Sequence, residues 1–90
     1  LPVGPSEFRF AAAECIVTED PDICLHIGKM LTARRIELGL SLAQVAQNCG
    51  VSLQQIHRYE TGANAISAPR LWSLSRCLDV SIGYFFEGLA

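Results

Sequence analysis

From residue 23 onward, apolar positions recur in short stripes at helical spacing, each bounded by a capping residue or a glycine. Ile27, Leu31 and Leu38 predict the inner face of a first helix over about 23–38, with Gly39 as its stop. Arg35 falls on the same stripe, which calls for a buried partner. Leu40 turns the chain back toward the core. Ser41, with Gln44 three residues on, reads as a capping box for a second helix that Gly50 ends. Val45 and Ala46 are its inward residues, and Leu42 sits on its exposed first turn. Ser52 and Gln55 repeat the box spacing and open a third helix. Val51, Ile56 and Tyr59 point inward there, and Gln54, His57 and Arg58 outward. After the turn Thr61-Gly62-Ala63-Asn64, Ser67 caps a fourth helix over about 68–77. It has Pro69 in its first turn, and its core positions are Leu71, Leu74 and Leu78. Trp72 lies at the edge of that core or in solvent. Asp79 ends this stretch, Ser81 caps a short fifth helix, and Gly88 ends it.

Residues 1–21 fit no such pattern and read as an irregular arm ended by Pro21, leaving 22–90 as the folded domain. Within the arm, Phe8, Phe10, Ala11 to Ala13, Ile16 and Val17 form an apolar patch suited to covering the domain or a partner. The Ala run suits a helical turn, and the Phe8/Phe10 alternation suits a short strand. Leu1 in place of Met fits a trimmed product or an added remnant, and residues 1–6 read as tail. The expected fold class is all-α: five helices, no sheet, and an N-terminal arm.

Ninety residues suffice for one domain, and half of them are apolar, so the chain is expected to fold. A net charge of -2 is unusual for a nucleic-acid binder, but the charge is unevenly spread. Residues 26–70 carry Lys29, Arg34, Arg35, Arg58 and Arg70 against Glu37 and Glu60, a local +3. Residues 1–25 carry Arg9 against Glu7, Glu14, Glu19, Asp20 and Asp22, a local -4. Cys15, Cys24, Cys49 and Cys77 lack the spacing of a zinc site, and Cys49 and Cys77 read as small buried apolar residues. No run approaches the roughly 18 apolar residues of a membrane span, and no basic-then-apolar signal peptide is present.

The second and third helices, short, capped and about one turn apart, have the layout of a helix-turn-helix reader of the DNA major groove. Four ordered pieces strengthen this: Arg-Arg-x-x-x-Gly-Leu-Ser at 34–41, Val-Ala-x-x-x-Gly-Val-Ser at 45–52, Gln-Ile-x-x-Tyr-Glu-x-Gly at 55–62, and Leu-x-x-Leu-x-x-x-Leu-x-Val at 71–80. From about Asp22 to Leu89 the chain resembles the Cro/C1-type, or xenobiotic-response-element-type, helix-turn-helix family of small bacterial or phage transcriptional regulators. Gly-Lys at 28–29, Tyr-Glu-Thr-Gly-Ala-Asn at 59–64 and Tyr-Phe-Phe-Glu-Gly at 84–88 resemble a subgroup common in alphaproteobacteria.

The resemblance implies a five-helix, lambda-repressor-like domain in which Arg35 and Glu60 form an internal ion pair. It also implies a DNA-facing surface built from Ser41, Gln44, Ser52, Leu53, Gln54, Gln55, His57 and Arg58. Gln54 suits paired hydrogen bonds to adenine, and Arg58 suits guanine or a phosphate. Leu42 departs from the family, which often has a glutamine there, and Leu53 is apolar at an exposed helix start. Leu53 suits a thymine methyl or a protein surface equally. Met30, Thr32, Thr61 and Ala65 stand where the subgroup tends to be basic, so fewer phosphate contacts are expected. Because one recognition helix reads few bases, a homodimer on double-stranded DNA is expected. Trp72, Tyr84, Phe85, Phe86 and Leu89 are its candidate interface, with at least one of the aromatics filling the monomer core.

The alternative function is a protein-binding module or antitoxin-like co-regulator on the same fold with weakened DNA binding. Leu42, Leu53 and the acidic first residues favour it. His26 and His57 belong to no nucleophile triad, and no paired-carboxylate, phosphate-loop or zinc-hydrolase motif occurs, so no enzyme is expected. Neither a cofactor nor a metal is expected, and the expected location is the cytoplasm, on the nucleoid.

Overall fold

A computed structural model describes the backbone of residues 3–89 and the side chains of residues 20–89. The described residues form four α-helices and a closing 3-10 turn, with no strand: α1 (Val3–Glu37), α2 (Leu42–Cys49), α3 (Leu53–Thr61), α4 (Ala68–Cys77) and the turn Ile82–Phe86. The ends of the helices follow local chemistry. Ser41, Ser52 and Ser67 each adopt extended backbone and accept the N–H three residues on. Gly50 and Gly62 end α2 and α3 in the left-handed conformation. Asp79, just past α4, takes φ 56°, a value that aspartate tolerates better than most residues.

Three expectations are corrected. The backbone of residues 3–20 is helical and continuous with α1, and Pro21 lies inside that helix instead of ending an irregular arm. Proline forgoes one i→i−4 hydrogen bond, but the preceding Ala11 to Ala13 are the strongest helix formers. The apolar patch from Phe8 to Val17 lies outside the described side chains. The fifth helix is a 3-10 turn: the Tyr84 N–H donates to the Ser81 carbonyl and the Glu87 N–H to that of Tyr84, and Ser81 makes no side-chain cap bond. Leu38 is 40% exposed and leaves the core, because it follows the last residue of α1, where the helical period no longer sets its direction.

Ile27, Leu31, Val45, Ala46, Ile56, Tyr59, Leu71, Leu74, Leu78 and Phe85 form the core. Polar ties from α1 close it. Arg34 Nε donates to the Leu78 carbonyl at 2.8 Å, and the Tyr84 hydroxyl donates to the Met30 carbonyl at 2.9 Å. His26 Nε2 donates to the Glu87 carbonyl at 2.7 Å. Thus the closing turn is held to α1 by packing and by hydrogen bonds at its middle residue, Tyr84, and just past its end, at Glu87.

At Gly28 the backbone of α1 comes close to that of α3. A Cβ there would lie 2.5 Å from the Glu60 carbonyl oxygen and 2.6 Å from that of Tyr59, both rigid backbone. The missing side chain lets α1 support the last turn of α3. Gly28→Ala is expected to lower stability by about 1–3 kcal/mol or more, the usual range for overpacking, read as a lower urea midpoint. An unchanged midpoint would mean that α3 can back away from α1 at no cost.

Candidate nucleic-acid interface

The inner side of α3 is fixed before its outer side can be considered. Ile56 is fully buried, Tyr59 nearly so, and the Glu60 side chain is 7% exposed. Arg35 Nε donates to Glu60 Oε2 at 2.7 Å and Nη2 to Oε1 at 3.2 Å, a two-pronged pair. The third prong, Nη1, donates to the Leu40 carbonyl at 3.0 Å. The Thr32 hydroxyl shares its proton between Glu60 Oε1 at 2.9 Å and the Gly28 carbonyl at 3.0 Å. Glu60 therefore binds the end of α3 to two successive turns of α1. Thr32 was read from sequence only as a missing positive charge. Its spacing of three from Arg35 was the one signal that both share a helix face.

The outer side carries Leu53, Gln54, His57 and Arg58, all exposed, with Gln55 half-buried. Leu53, Gln54, His57 and Arg58 surround an open hollow of about 380 Å³, which Leu42 lines from the start of α2. The structure thus brings four of the sequence-selected residues, and the family departure Leu42, to one place. Ser41, Gln44 and Ser52 stand apart from that hollow as capping residues. Ser41 Oγ accepts the Gln44 N–H at 3.1 Å, and Gln44 Oε1 accepts the Ser41 N–H at 2.8 Å. At α3 only half of the box forms: Ser52 Oγ accepts the Gln55 N–H at 3.1 Å, and the Gln55 side chain does not return.

The basic block sorts into two kinds of residue. Arg34 pairs with Glu37 at 2.9 Å and Arg35 with Glu60, which neutralises four of its seven charges. Lys29, Arg58 and Arg70 carry the remaining positive charge; the first two are exposed and Arg70 is half-buried.

The candidate self-contact residues divide as well. Phe85 is fully buried in the monomer core, with its ring edge-on to Tyr84 at 5.4 Å, and is removed from any interface. Tyr84 is half-buried with its hydroxyl already bonded. Burial raises the Tyr84 pKa, and nearby Glu37 adds to the effect. Phe86 and Leu89 are exposed, as is Trp72, over whose ring the Arg76 guanidinium lies at 5.0 Å. Ile82 was not selected from sequence, yet it is exposed beside Phe86 on the same turn.

The thiols are free at Cys24, Cys49 and Cys77, all half-buried and not fully buried, and the Cys15 side chain lies outside the described residues. Cys77 Sγ donates to the Asn48 carbonyl at 3.6 Å. Burial, then the neighbouring Cys77 thiol, pushes the Cys49 thiol up to about 12, so at neutral pH it is protonated and a poor nucleophile. Among the described residues, no group of three or more His, Cys, Asp or Glu side chains is placed to hold a metal ion. No helix among them is long and apolar enough to cross a membrane.

Comparison with known proteins adds to this geometry. The helix-turn-helix family HTH_3 matches residues 31–85. The chain is 45% identical over 64 residues to an uncharacterised transcriptional regulator from the ATPase CF(0) region of Rhodospirillum rubrum, covering 71% of this chain and 59% of that protein. It is 38% identical over 65 residues to an uncharacterised HTH-type transcriptional regulator of Sinorhizobium medicae, covering 72% and 47%. The chain thus spans about half the length of these curated relatives. Among solved structures, an HTH_3-family transcriptional regulator from Vibrio cholerae superposes with a TM-score of 0.71 at 31% identity, over 74% of this chain and 38% of that one. The clp gene regulator ClgR of C. glutamicum shares the fold, with a TM-score of 0.69 at 22% identity over 76% and 94%. With its two capped helices, its buried Arg35–Glu60 pair and this match over residues 31–85, the chain belongs to the HTH_3, or Cro/C1-type, family of helix-turn-helix transcriptional regulators, a non-catalytic class.

Proposed function

We propose that this chain is a sequence-specific reader of double-stranded DNA that acts as a two-fold dimer in the cytoplasm, on the nucleoid. One observation carries the reading. The inner face of α3 is locked by Ile56, Tyr59 and Glu60, and its outer face presents Gln54, His57 and Arg58 together, exposed and around one hollow. A rigid helix with hydrogen-bonding side chains on its free face is what entry into the major groove needs. Gln54 suits adenine N6 and N7, and Arg58 suits guanine O6 and N7 or a phosphate. Ser52 keeps its hydroxyl proton and Gln44 its amide protons for phosphate oxygens, because both caps use these side chains as acceptors. Gln55 and His57 flank the contact, and Ser41 holds Gln44 in place. The reader lies in residues 22–90, with the stretch before it extending α1 toward the N-terminus.

Two-fold association places two α3 helices in successive major grooves, about 34 Å apart. Phe86 and Leu89 supply the apolar surface for it and Trp72 a second patch, all three exposed in the single chain.

Selection from a randomised duplex pool at two salt concentrations tests this proposal. The expected result is a two-fold-symmetric site whose affinity falls as salt rises, with a slope of a few units set by Lys29, Arg58 and Arg70. Arg58→Ala is expected to weaken binding to that site by about 1–3 kcal/mol and relax one position in it. A folded protein that enriches no site at low salt would rule out autonomous DNA reading. It would favour the second reading, a protein-binding or antitoxin-like co-regulator, for which the apolar Leu42 and Leu53 are the specific support.

A further inference from the structure

The hollow on the outer face of α3 has an apolar side that hydrogen-bonding chemistry does not use. Leu42, the first residue of α2, and Leu53, the first residue of α3, line it together. Leu53 is 47% exposed, although it sits in a helix start where a polar residue would cost nothing. Gln54, His57 and Arg58 complete the lining, so donors and acceptors share the hollow with the apolar patch.

The edges of base pairs in the major groove are polar at nearly every position, and the C5-methyl of thymine is the one apolar group among them. Cytosine N4 or guanine O6 placed over two leucines would lose water and gain no partner. A methyl placed there loses nothing and leaves water. The rim then acts on the neighbouring pairs, with Gln54 toward adenine and Arg58 toward guanine. We infer that the Leu42–Leu53 hollow is a methyl reader, which seats the C5-methyl of a pyrimidine in each half-site while Gln54 and Arg58 read the adjacent purines. The inference rests on the DNA-reading proposal above and adds the identity of one base in each half-site. It also implies that 5-methylcytosine binds more tightly than cytosine at that position.

The test uses the site selected above and changes only methyl groups. Each thymine is replaced in turn by deoxyuridine, which lacks the methyl and keeps every hydrogen-bonding group, and affinity is measured by fluorescence anisotropy. One thymine per half-site is expected to stand out, its replacement weakening binding about fourfold, the worth of one buried methyl. Replacing both symmetric thymines is expected to weaken binding by about the square of that factor. With cytosine at this position, 5-methylation is expected to strengthen binding by a similar factor. Leu53→Ala, at an exposed position that should not disturb folding, is expected to bind the thymine and uracil sites equally.

A selected site at which no uracil replacement matters by as much as twofold would overturn the methyl reader and leave DNA reading intact. A methyl effect that survives both Leu53→Ala and Leu42→Ala would overturn it too, by assigning the methyl to another surface. Enrichment of no site at all would remove both proposals, and an apolar side chain of a protein partner would then be the occupant of the hollow.

Discussion

Glu60→Ala is expected to lower unfolding stability by about 3–5 kcal/mol, as removal of one member of a buried ion pair does. The expectation follows from where the charges lie. The Glu60 side chain is 7% exposed and that of Arg35 16%. Without Glu60, the Arg35 guanidinium keeps the Leu40 carbonyl but loses its counter-charge and two acceptors. Thr32 loses one of its two acceptors as well. The pair need not be highly stabilising in itself for this to hold, because the cost lies in stranding a cation that water reaches poorly. Arg35→Met combined with Glu60→Leu is therefore expected to cost much less than the sum of the single changes. Urea unfolding of the parent, Glu60→Ala, Arg35→Met, Glu60→Leu and the double variant measures both quantities. A loss below about 1 kcal/mol for Glu60→Ala would place the pair in the class of solvated surface bridges.

The second large effect falls on the closing turn. Phe85 is fully buried, whereas its neighbour Phe86 is 41% exposed. Phe85→Ala is expected to cost about 3–5 kcal/mol, the usual range for emptying a packed aromatic site. Phe86→Ala is expected to stay within about 0.5 kcal/mol, as surface changes do. In the proposed dimer the order reverses: Phe86→Ala weakens self-association in sedimentation while the monomer stays folded. Equal losses of stability from both changes would contradict the division of this turn into a core side and a free side.

What the sequence made legible was mainly local. Ser41, Ser52 and Ser67 cap helices through a bond to the residue three ahead, and Gly50 and Gly62 end them through a single backbone conformation. Such signals need no knowledge of the rest of the chain. Arg35 on an apolar stripe announced a buried partner, but spacing could not say which carboxylate. Only the family resemblance pointed to Glu60, which lies 25 residues on. The contacts of His26 and Tyr84 were invisible for a stronger reason. Both bond to backbone carbonyls, at sequence separations of 61 and 54, and every residue carries a carbonyl.

The errors lie where helical periodicity loses its meaning. The inward direction expected for Leu38 relies on a period that stops at Glu37, and which aromatic fills the core stays open in sequence because the α period does not apply in a five-residue 3-10 turn. Proline's usual effect makes Pro21 a boundary, whereas the backbone carries the helix through it. At the candidate interface, the outward set Leu53, Gln54, His57 and Arg58 was readable from the α3 pattern. That Leu42 joins it across the turn depends on how α2 packs against α3, which no local pattern encodes.

The central claim is that α3 enters the major groove, and dimethyl sulfate footprinting of the selected site addresses it most directly. The reagent methylates guanine N7 in the major groove and adenine N3 in the minor groove. The account predicts protection of guanine N7 in two clusters about ten base pairs apart on one face of the duplex, with each cluster lost in Arg58→Ala. Occupied DNA with every guanine N7 still reactive, or with protection confined to adenine N3, would contradict it.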